Sequence, residues 1–472
     1  MADPSSTRPA IVGELSAAGV SRSVRVVGAL PRALLIEVDG APAVGETDWQ
    51  SARIGSGEGT IELGRCRYFP HDAHPHRRAT DPPPKPGHGR LVPVDEVVDF
   101  RALMEKGSVV PLAEHVRQLP LIYRRKHEVS DSFRTYTSEL AYDLQVFRSV
   151  LDEIDRSLAT EPSAVAELVR AAAVASQWGP FCELFDRRLA ELEPLVAGLS
   201  KQESELHGYY FRKHMWDLIM CSEVLARTNL KPRGYAGDSE MMRMVYQDAF
   251  AGPTVFSRFM HRHPIRTAAA QAVRNRRALL SELITARAGT AARGPLRVMS
   301  VACGPAREVS DIVQSPRLAG SLAFTLVDQD DEALGQARQQ IDEVQGRIGT
   351  AVSARAVRQS VRTMLRTPSL RDDWGRFDVI YSMGLFDYLV GPVARAVLTK
   401  LYDLLDPGGE LIIGNFHVGN PTRIYMEYWM DWVLFYRTEE EMLALAAGLP
   451  GGRARIDFEE TRSQMFLRIT KD

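Results

Sequence analysis

The sequence predicts an α/β protein with a doubly wound parallel sheet, preceded by an all-helical region and a small N-terminal β-domain. Three successive residue patterns support this prediction. β-branched runs separated by Gly, Pro and Asp occur before residue 70, apolar residues at helical spacing follow from residue 95, and apolar runs alternate with helical stretches after residue 290. A chain of 472 residues is also too long for one ordinary core.

The N-terminal region reads as a small β-rich domain over residues 1–70. Its short β-branched runs are Val24–Val27, Leu34–Val38 and Thr60–Leu63. Residues 71–94 are predicted as a proline-rich linker, since prolines and charges there oppose regular structure. No metal site is predicted in it, because its histidines lack Cys or acidic residues at regular spacing; they are His71, His74 and His76.

Residues 95–290 are predicted to form a helical bundle or cap. Apolar residues recur near helical spacing between Phe133 and Ala159, and the pattern continues beyond that segment. Prolines are expected to divide the region into several helices; they are Pro180, Pro194, Pro232, Pro253 and Pro264.

Residues 291–472 carry the pattern of the doubly wound sheet. Four apolar runs are LRVMSVA, LAFTLVD, FDVIYSM and ELIIGNF, and polar or helical segments separate them. Strands buried on both faces and connected by helices are typical of a parallel sheet. The C-terminal runs RARIDFEE and SQMFLRIT predict an antiparallel hairpin on its edge.

A ligand site is expected at the carboxyl ends of these strands. The first run leads into ACGPARE, where a tight turn with small side chains would let the backbone approach a ligand. The second run ends at Asp328, whose carboxylate can accept hydrogen bonds from both hydroxyls of a ribose. The two lie about two dozen residues apart, as such a site requires. A dinucleotide-binding domain is disfavoured because GxGxxG is absent.

The order ACGPARE, VDQDDEAL, FDVIYSMGLFDYL and LLDPGGELIIGNF resembles class I S-adenosylmethionine (SAM)-dependent methyltransferases, which have a Rossmann-like sheet. The resemblance implies SAM as cofactor, with the turn under its methionine part and the acid on its ribose. The implied cofactor-binding residues are Ala302, Cys303, Gly304, Asp328, Ser382 and Met383. The sequence departs from the family pattern at Ala302 and Ala306, which replace glycines, and at Ser300, which replaces an acid.

Three further segments narrow the resemblance. LKPRGYAGDSEMM, GLFDYL and the stretch that begins GNFHVGNPTRIYMEYWMDW resemble a bacterial family associated with biosynthesis of 3-hydroxypalmitic acid methyl ester. This resemblance implies a small-molecule methyl acceptor, and carboxyl O-methylation of a hydroxy- or fatty-acid-like substrate. N- or O-methylation of another small metabolite stays open. So does a non-catalytic SAM-binding regulatory protein.

The predicted catalytic residues are His417, Tyr235, Arg423 and Glu427. A carboxylate acceptor is ionised at neutral pH and needs no general base, whereas a hydroxyl or amine does. His417 and Glu427 are candidate bases, as is Asp387, and Arg423 could hold a substrate carboxylate. Each has a structural alternative: a histidine bonded to local backbone, an arginine paired with a structural acid, or an aspartate that caps a helix.

Residues 14–19, ELSAAG, resemble the [DN]xSxxG element of PilZ domains, which bind cyclic di-GMP. Glu14 occupies the Asp/Asn position, and Arg8 is the single arginine before it where the family has a pair. The N-terminal domain is therefore predicted to be a degenerate PilZ-like domain, and binding of a cyclic dinucleotide there is disfavoured.

Charge and composition limit the partners. The formal net charge is −2, so no global field favours nucleic acid or an anionic membrane. No apolar run reaches the length of a membrane span, and the first residues lack the pattern of a signal peptide. Four dispersed cysteines without a CxxC pair suit a reducing compartment, so a cytoplasmic location is expected. A homodimer is left open.

Overall fold

A computed structural model describes residues 11–30, 32–40, 48–56, 59–70, 87–95, 97–100, 110–111, 125–290 and 294–472. The chain divides into two compact units, Met1–Glu128 and Val129–Asp472. Within the described part of the chain, no helix combines the length and the apolarity needed to span a bilayer.

The first unit contains an eight-stranded antiparallel sheet in the order β4-β7-β8-β3-β2-β1-β5-β6, and β9 pairs with β10. Alternate residues such as Val24 and Val26 are buried, as expected of a sheet with one covered face. Ala18 and Gly19 join β1 to β2 with φ of 45° and 81°, the left-handed pair of a tight hairpin. The strands are β1 (Val12–Ala17), β2 (Val20–Leu30), β3 (Ala33–Val38), β4 (Asp48–Trp49), β5 (Ser51–Ser56), β6 (Gly59–Leu63), β7 (Cys66–Pro70), β8 (His88–Pro93), β9 (Val98–Asp99) and β10 (Val110–Pro111).

The position of β8 corrects the predicted linker over residues 71–94. This strand pairs with both β3 and β7, and its Leu91 is fully buried. The sheet therefore continues through Pro93, beyond the boundary predicted at residue 70. Arg8, His71, His74 and His76 lie outside the described residues. The PilZ-like character of the unit stays a prediction.

The second unit begins with helices, but later than the predicted start at residue 95, because β9 and β10 lie within the range predicted to be helical and the first α-helix begins at Asp131. Ser130 caps the first of them by accepting a hydrogen bond from the Phe133 amide. Phe133, Leu140 and Leu144 then form its buried face. The helices are α1 (Asp131–Ser157), α2 (Ser163–Val196), α3 (Lys201–His214), α4 (Trp216–Met220), α5 (Glu223–Leu230), α6 (Ser239–Gln247), α7 (Val255–Ile265) and α8 (Ala268–Thr290).

Three of the predicted helix breaks are wrong. Pro180 and Pro194 lie inside α2, and Pro264 lies inside α7. Pro180 and Pro194 are exposed, so water can hydrate the carbonyl that each proline leaves without an amide donor, and Pro264 is one residue from its helix end. The breaks at Pro232 and Pro253 are observed.

The rest of the unit is a seven-stranded sheet in the order β13-β12-β11-β14-β15-β17-β16. Strands β11 to β15 are parallel, and β17 runs antiparallel to β15 and β16. The doubly wound sheet and its C-terminal hairpin are thus confirmed. The strands are β11 (Leu296–Val301), β12 (Leu322–Asp328), β13 (Ser353–Arg358), β14 (Phe377–Ser382), β15 (Leu405–Phe416), β16 (Gly452–Phe458) and β17 (Gln464–Lys471).

Helices connect the successive strands from β11 to β16, whereas a turn joins β16 to β17, and buried apolar clusters lie among these elements. The chain moves outward from β11 to β13 and then returns to the other side of β11 with β14, so the strand order reverses between β11 and β14. Such a switch point opens a crevice at the carboxyl ends of the two strands. The helices are α9 (Arg307–Ile312), α10 (Pro316–Gly320), α11 (Asp331–Ile348), α12 (Val361–Arg366), α13 (Leu370–Trp374), α14 (Gly391–Asp403), α15 (Arg423–Tyr428) and α16 (Glu439–Leu445).

Candidate active site

The turn after β11 has an unusual backbone. Ala302, Gly304 and Ala306 have φ of 53°, 55° and 48°, all in the left-handed region. The two alanines therefore adopt the conformation in which glycine is expected, at a steric cost that glycine avoids. A Cβ added to Gly304 would meet no heavy atom within 4 Å, so the turn faces open space.

Asp328, at the end of β12, is hydrogen-bonded to this turn. Its Oδ2 accepts from the Gly304 amide at 2.8 Å, and its Oδ1 accepts from the Asp330 amide at 3.0 Å. The side chain is buried, and that burial raises the pKa of the Asp328 carboxyl. Each oxygen keeps a lone pair, so the carboxylate can still accept hydrogen bonds from ribose hydroxyls.

The other predicted cofactor residues lie beside this pair. The Cys303 amide donates to the Val327 carbonyl at 3.1 Å, and burial raises the pKa of the Cys303 thiol, so it stays protonated. Ser382 Oγ donates to the Val301 carbonyl at 2.8 Å, which ties the end of β14 to that of β11. The structure thus brings the predicted cofactor residues to one edge of the sheet.

The loop between α5 and α6 approaches the same edge. Arg233 Nη1 lies 2.8 Å from Asp330 Oδ2, and the guanidinium also pairs with Glu332. Burial and the neighbouring charges of Asp328 and Asp330 raise the pKa of Tyr235, so its hydroxyl keeps its proton. Residues 233–238, called the covering loop below, therefore lie over the end of β12.

Two aromatic residues pack against the covering loop. Trp432 Nε1 donates to the Tyr388 hydroxyl oxygen at 2.8 Å. A Cβ on Gly237 would come within 2.5 Å of Trp432 Cζ2 and 2.7 Å of the Tyr388 oxygen, so only glycine fits there. The Tyr235 ring lies 6.0 Å from that of Tyr388, edge-on. Tyr388 lies in the segment GLFDYL but was not among the predicted site residues, because its contacts depend on this packing.

Residues 299–411 match the profile of a family described as "Methyltransferase domain". This segment is a methyltransferase domain. Its cofactor is SAM, as predicted. The turn at Gly304 and the acid at Asp328 stay the residues that are predicted to hold it.

Solved structures of methyltransferases are similar to the chain. Magnesium protoporphyrin IX methyltransferase ChlM from Synechocystis PCC 6803, solved with bound SAH (S-adenosylhomocysteine), is 13% identical and matches over 43% of this chain and 85% of its own, with a TM-score of 0.33. The N-methyltransferase NodS from Bradyrhizobium japonicum WM9 is 15% identical over 42% and 95%, with a TM-score of 0.29. No curated protein gives a significant match.

Asp387 lies in a 3-10 turn, Phe386–Tyr388, that follows β14 of the methyltransferase domain. Its Oδ1 accepts from the Phe416 amide at 2.7 Å, so it joins the ends of β14 and β15. Burial raises the pKa of Asp387 to about 6, although the Phe416 amide and the charges of Arg276 and Arg437 oppose the shift. This carboxyl is a candidate base that can change its protonation near neutral pH.

Three predicted catalytic residues have partners of their own. His417 Nε2 lies 3.0 Å from Glu439 Oε2, and its Nδ1 accepts from the Gly419 amide at 3.2 Å. Arg423 Nε donates to Glu427 Oε1 at 2.9 Å along α15. His417 is therefore bonded to local backbone, and Arg423 is paired with an acid on its own helix, as their structural alternatives state. Among the described residues, no hydrogen bond or ion pair joins these side chains to Asp328 or Tyr235.

Asp238, at the end of the covering loop, also has a structural role. It caps α6 by accepting from the Met241 amide at 2.9 Å, and it pairs with Arg227 at 2.7 Å. Of the four residues predicted to act on the acceptor, the structure places Tyr235 beside the cofactor residues.

Proposed function

We propose that the chain is a SAM-dependent methyltransferase that methylates the carboxylate of a hydroxy- or fatty-acid-like small molecule. The observation that carries the proposal is the hydrogen bond between the Gly304 amide and Asp328, which joins the turn after β11 to the end of β12 beneath the covering loop. When bound, SAM supplies a methyl group already activated on a positively charged sulfur. The chain then has to align the acceptor with that methyl group and keep water away.

The covering loop supports a small acceptor. Arg233 attaches it to Asp330, and Gly237 packs it against Trp432 and Tyr388. A strand end that is covered in this way can admit a small ligand that enters a cleft more readily than it can admit a large, rigid macromolecule. Tyr235 keeps its hydroxyl proton and can donate a hydrogen bond to an acceptor oxygen.

The contacts of His417 support a carboxylate acceptor. A carboxylate is ionised at neutral pH and attacks without losing a proton, so no general base is needed. His417, the predicted base after β15, has one ring nitrogen against Glu439 and the other bonded to the Gly419 amide. The resemblance of the covering loop and GLFDYL to the 3-hydroxypalmitic acid methyl ester family points to the same acceptor class.

Asp387 favours a second candidate function, methylation of a hydroxyl or an amine. Its pKa of about 6 would let it accept a proton at neutral pH, and it lies at the end of β14, next to Tyr388. The two proposals differ in product chemistry, because a methyl ester is cleaved by alkali whereas a methyl ether or methylamine is not.

The test uses the full chain with methyl-labelled SAM and 3-hydroxypalmitate, and Asp328→Ala as the matched inactive control. We expect label in a product that releases methanol in dilute alkali. Label that survives alkali would support the second candidate. SAM binding without turnover, even when cell extract supplies acceptors, would reject both enzymatic proposals and favour a regulatory SAM-binding protein.

A further inference from the structure

Arg276 is a buried arginine on α8 at the carboxyl edge of the parallel sheet, with 9% of its surface exposed. Its Nη1 donates to the Met383 carbonyl at 2.8 Å, and its Nη2 lies 3.6 Å from Met242 Sδ. The Tyr246 hydroxyl is a further hydrogen-bond partner. Within the described ranges, no carboxylate oxygen lies within 4.0 Å of this guanidinium.

Two other arginines, Arg277 and Arg437, have the partners expected of a structural role. Arg277, the next residue, pairs with the Asp311 carboxylate at 2.5 Å. Arg437 is also buried, but it donates to the carbonyls of Phe386 and Leu389 and to the side-chain oxygen of Asn415. A guanidinium has five N–H donors, and burial without a counter-ion is costly. Arg276 has one carbonyl, a thioether and a phenol as its described partners.

The location of Arg276 connects it with the candidate active site. Met383 and Gly384 directly follow β14 at the switch point, and a Cβ on Gly384 would lie 3.7 Å from Arg276 Nη2. The positive charge also acts on two acids beyond ion-pair distance: burial raises the pKa of Asp387 and of Glu308, and the charge of Arg276 opposes part of that rise. The guanidinium therefore contacts Met383, a predicted cofactor residue, and acts on Asp387, a candidate base.

We propose that Arg276 binds a ligand carboxylate where cofactor and acceptor meet; this inference rests on the proposed function. An arginine can donate two parallel hydrogen bonds to a carboxylate, and an anion would supply the missing counter-charge. Two ligands of the proposed reaction carry a carboxylate, namely the methionine end of SAM and the acceptor acid. The experiment therefore has one arm for each source.

The first arm measures, by calorimetry, the binding of SAH and of 5′-methylthioadenosine, which lacks the amino-acid carboxylate. The second measures binding of 3-hydroxypalmitate in the presence of SAH. Arg276→Gln removes the charge, and Arg276→Lys keeps it without the planar fork. The matched control is Arg274→Gln, on the same helix, because Arg274 donates instead to the carbonyls of Val245 and Ile265.

We expect Arg276→Gln to lower the affinity for one of the two carboxylate ligands by ~10-fold or more, and Arg276→Lys to lower it less. The Arg274→Gln variant should bind both ligands with wild-type affinity. Loss of SAH affinity with unchanged methylthioadenosine affinity assigns the carboxylate to the cofactor. Unchanged SAH affinity with weaker 3-hydroxypalmitate binding assigns it to the acceptor. An equal loss of SAH and methylthioadenosine, or no selective loss in either arm, overturns the inference. Failure of the wild-type chain to bind SAH would instead reject the proposed function.

Discussion

The Gly304 amide donates a hydrogen bond to Asp328 Oδ2 at 2.8 Å, which joins the turn after the first parallel strand to the end of the second. The same carboxylate accepts from the Asp330 amide through its other oxygen. One buried side chain therefore fixes the shape of the turn and presents its remaining lone pairs to the crevice. The cofactor half of the proposed function depends on this relationship.

Asp328→Ala should weaken SAH binding by ~10-fold or more, because it removes the charge-assisted hydrogen bonds of the carboxylate. Calorimetry measures the change. The control is Asp331→Ala, since Asp331 is exposed and pairs with the exposed Arg358, a type of ion pair that contributes little. Equal SAH affinity of Asp328→Ala and the wild type would reject the assignment.

Tyr235→Phe should reduce kcat by ~10-fold while SAH affinity changes little, since it removes one hydrogen-bond donor on the acceptor side. Arg423→Ala should have a smaller effect on turnover, because Arg423 is half-exposed and paired with Glu427. Steady-state kinetics and calorimetry on both variants separate the two roles. A Tyr235→Phe variant that loses turnover and SAH affinity equally would place Tyr235 on the cofactor instead.

Arg233 and Asp330 should be energetically coupled, because their ion pair attaches the covering loop to the start of α11. The side chains are 16% and 18% exposed, so screening by water is partial. A double-mutant cycle with Arg233→Ala and Asp330→Ala should give a coupling free energy of about 1 kcal/mol in thermal or denaturant unfolding. Each single variant should also release SAH faster in stopped-flow experiments. Strictly additive effects would show that the loop is held by other contacts.

Gly237→Ala should sharply impair turnover, because the new methyl group would lie 2.5 Å from Trp432 Cζ2 and force the covering loop away from Tyr388. Gly346→Ala is the matched control. Gly346 lies within α11 and a Cβ there would meet nothing within 4 Å, so alanine should raise stability by roughly 0.5–1 kcal/mol. Kinetics and thermal unfolding of the pair provide the test, and normal turnover by Gly237→Ala would contradict this packing.

The strands at the centre of the parallel sheet could be predicted because they are buried on both faces. β11, β12 and β14 have almost every residue buried, so each appears in the sequence as a continuous apolar run. β13 was missed. Its one partner among the strands in the described ranges is β12, at the edge of the sheet, and its mostly exposed sequence SARAVR lacks that pattern.

The candidate cofactor residues could be predicted from the sequence more readily than Arg276 and Tyr388, for a related reason. The strand ends follow from chain order, so Gly304 and Asp328 had to meet at one edge once the strands were found. Arg276 and Tyr388 reach that edge only through the packing of α8 and the covering loop, which no local pattern encodes. The pairing of Arg423 with Glu427 was available from sequence, because an i,i+4 spacing on a helix brings opposite charges together.

Asp387→Asn distinguishes a catalytic from a structural role of the buried carboxyl. The pKa of Asp387 is raised from 3.8 to about 6, so the folded protein holds this proton more tightly than the unfolded chain does between those values. The free energy of unfolding therefore falls as the pH rises from about 4 through 6. Above that range the stabilisation from the protonated carboxyl is completely lost.

Asparagine cannot ionise, yet its side-chain oxygen can still accept from the Phe416 amide. The variant should therefore be more stable than wild type near pH 7.5, by up to about 3 kcal/mol, and equally stable near pH 4. Thermal unfolding at the two pH values measures this difference, and a variant no more stable at the higher pH would contradict the raised pKa. Turnover should be largely retained if the acceptor is a carboxylate, whereas a loss of ~100-fold would identify Asp387 as the base for a hydroxyl or amine acceptor.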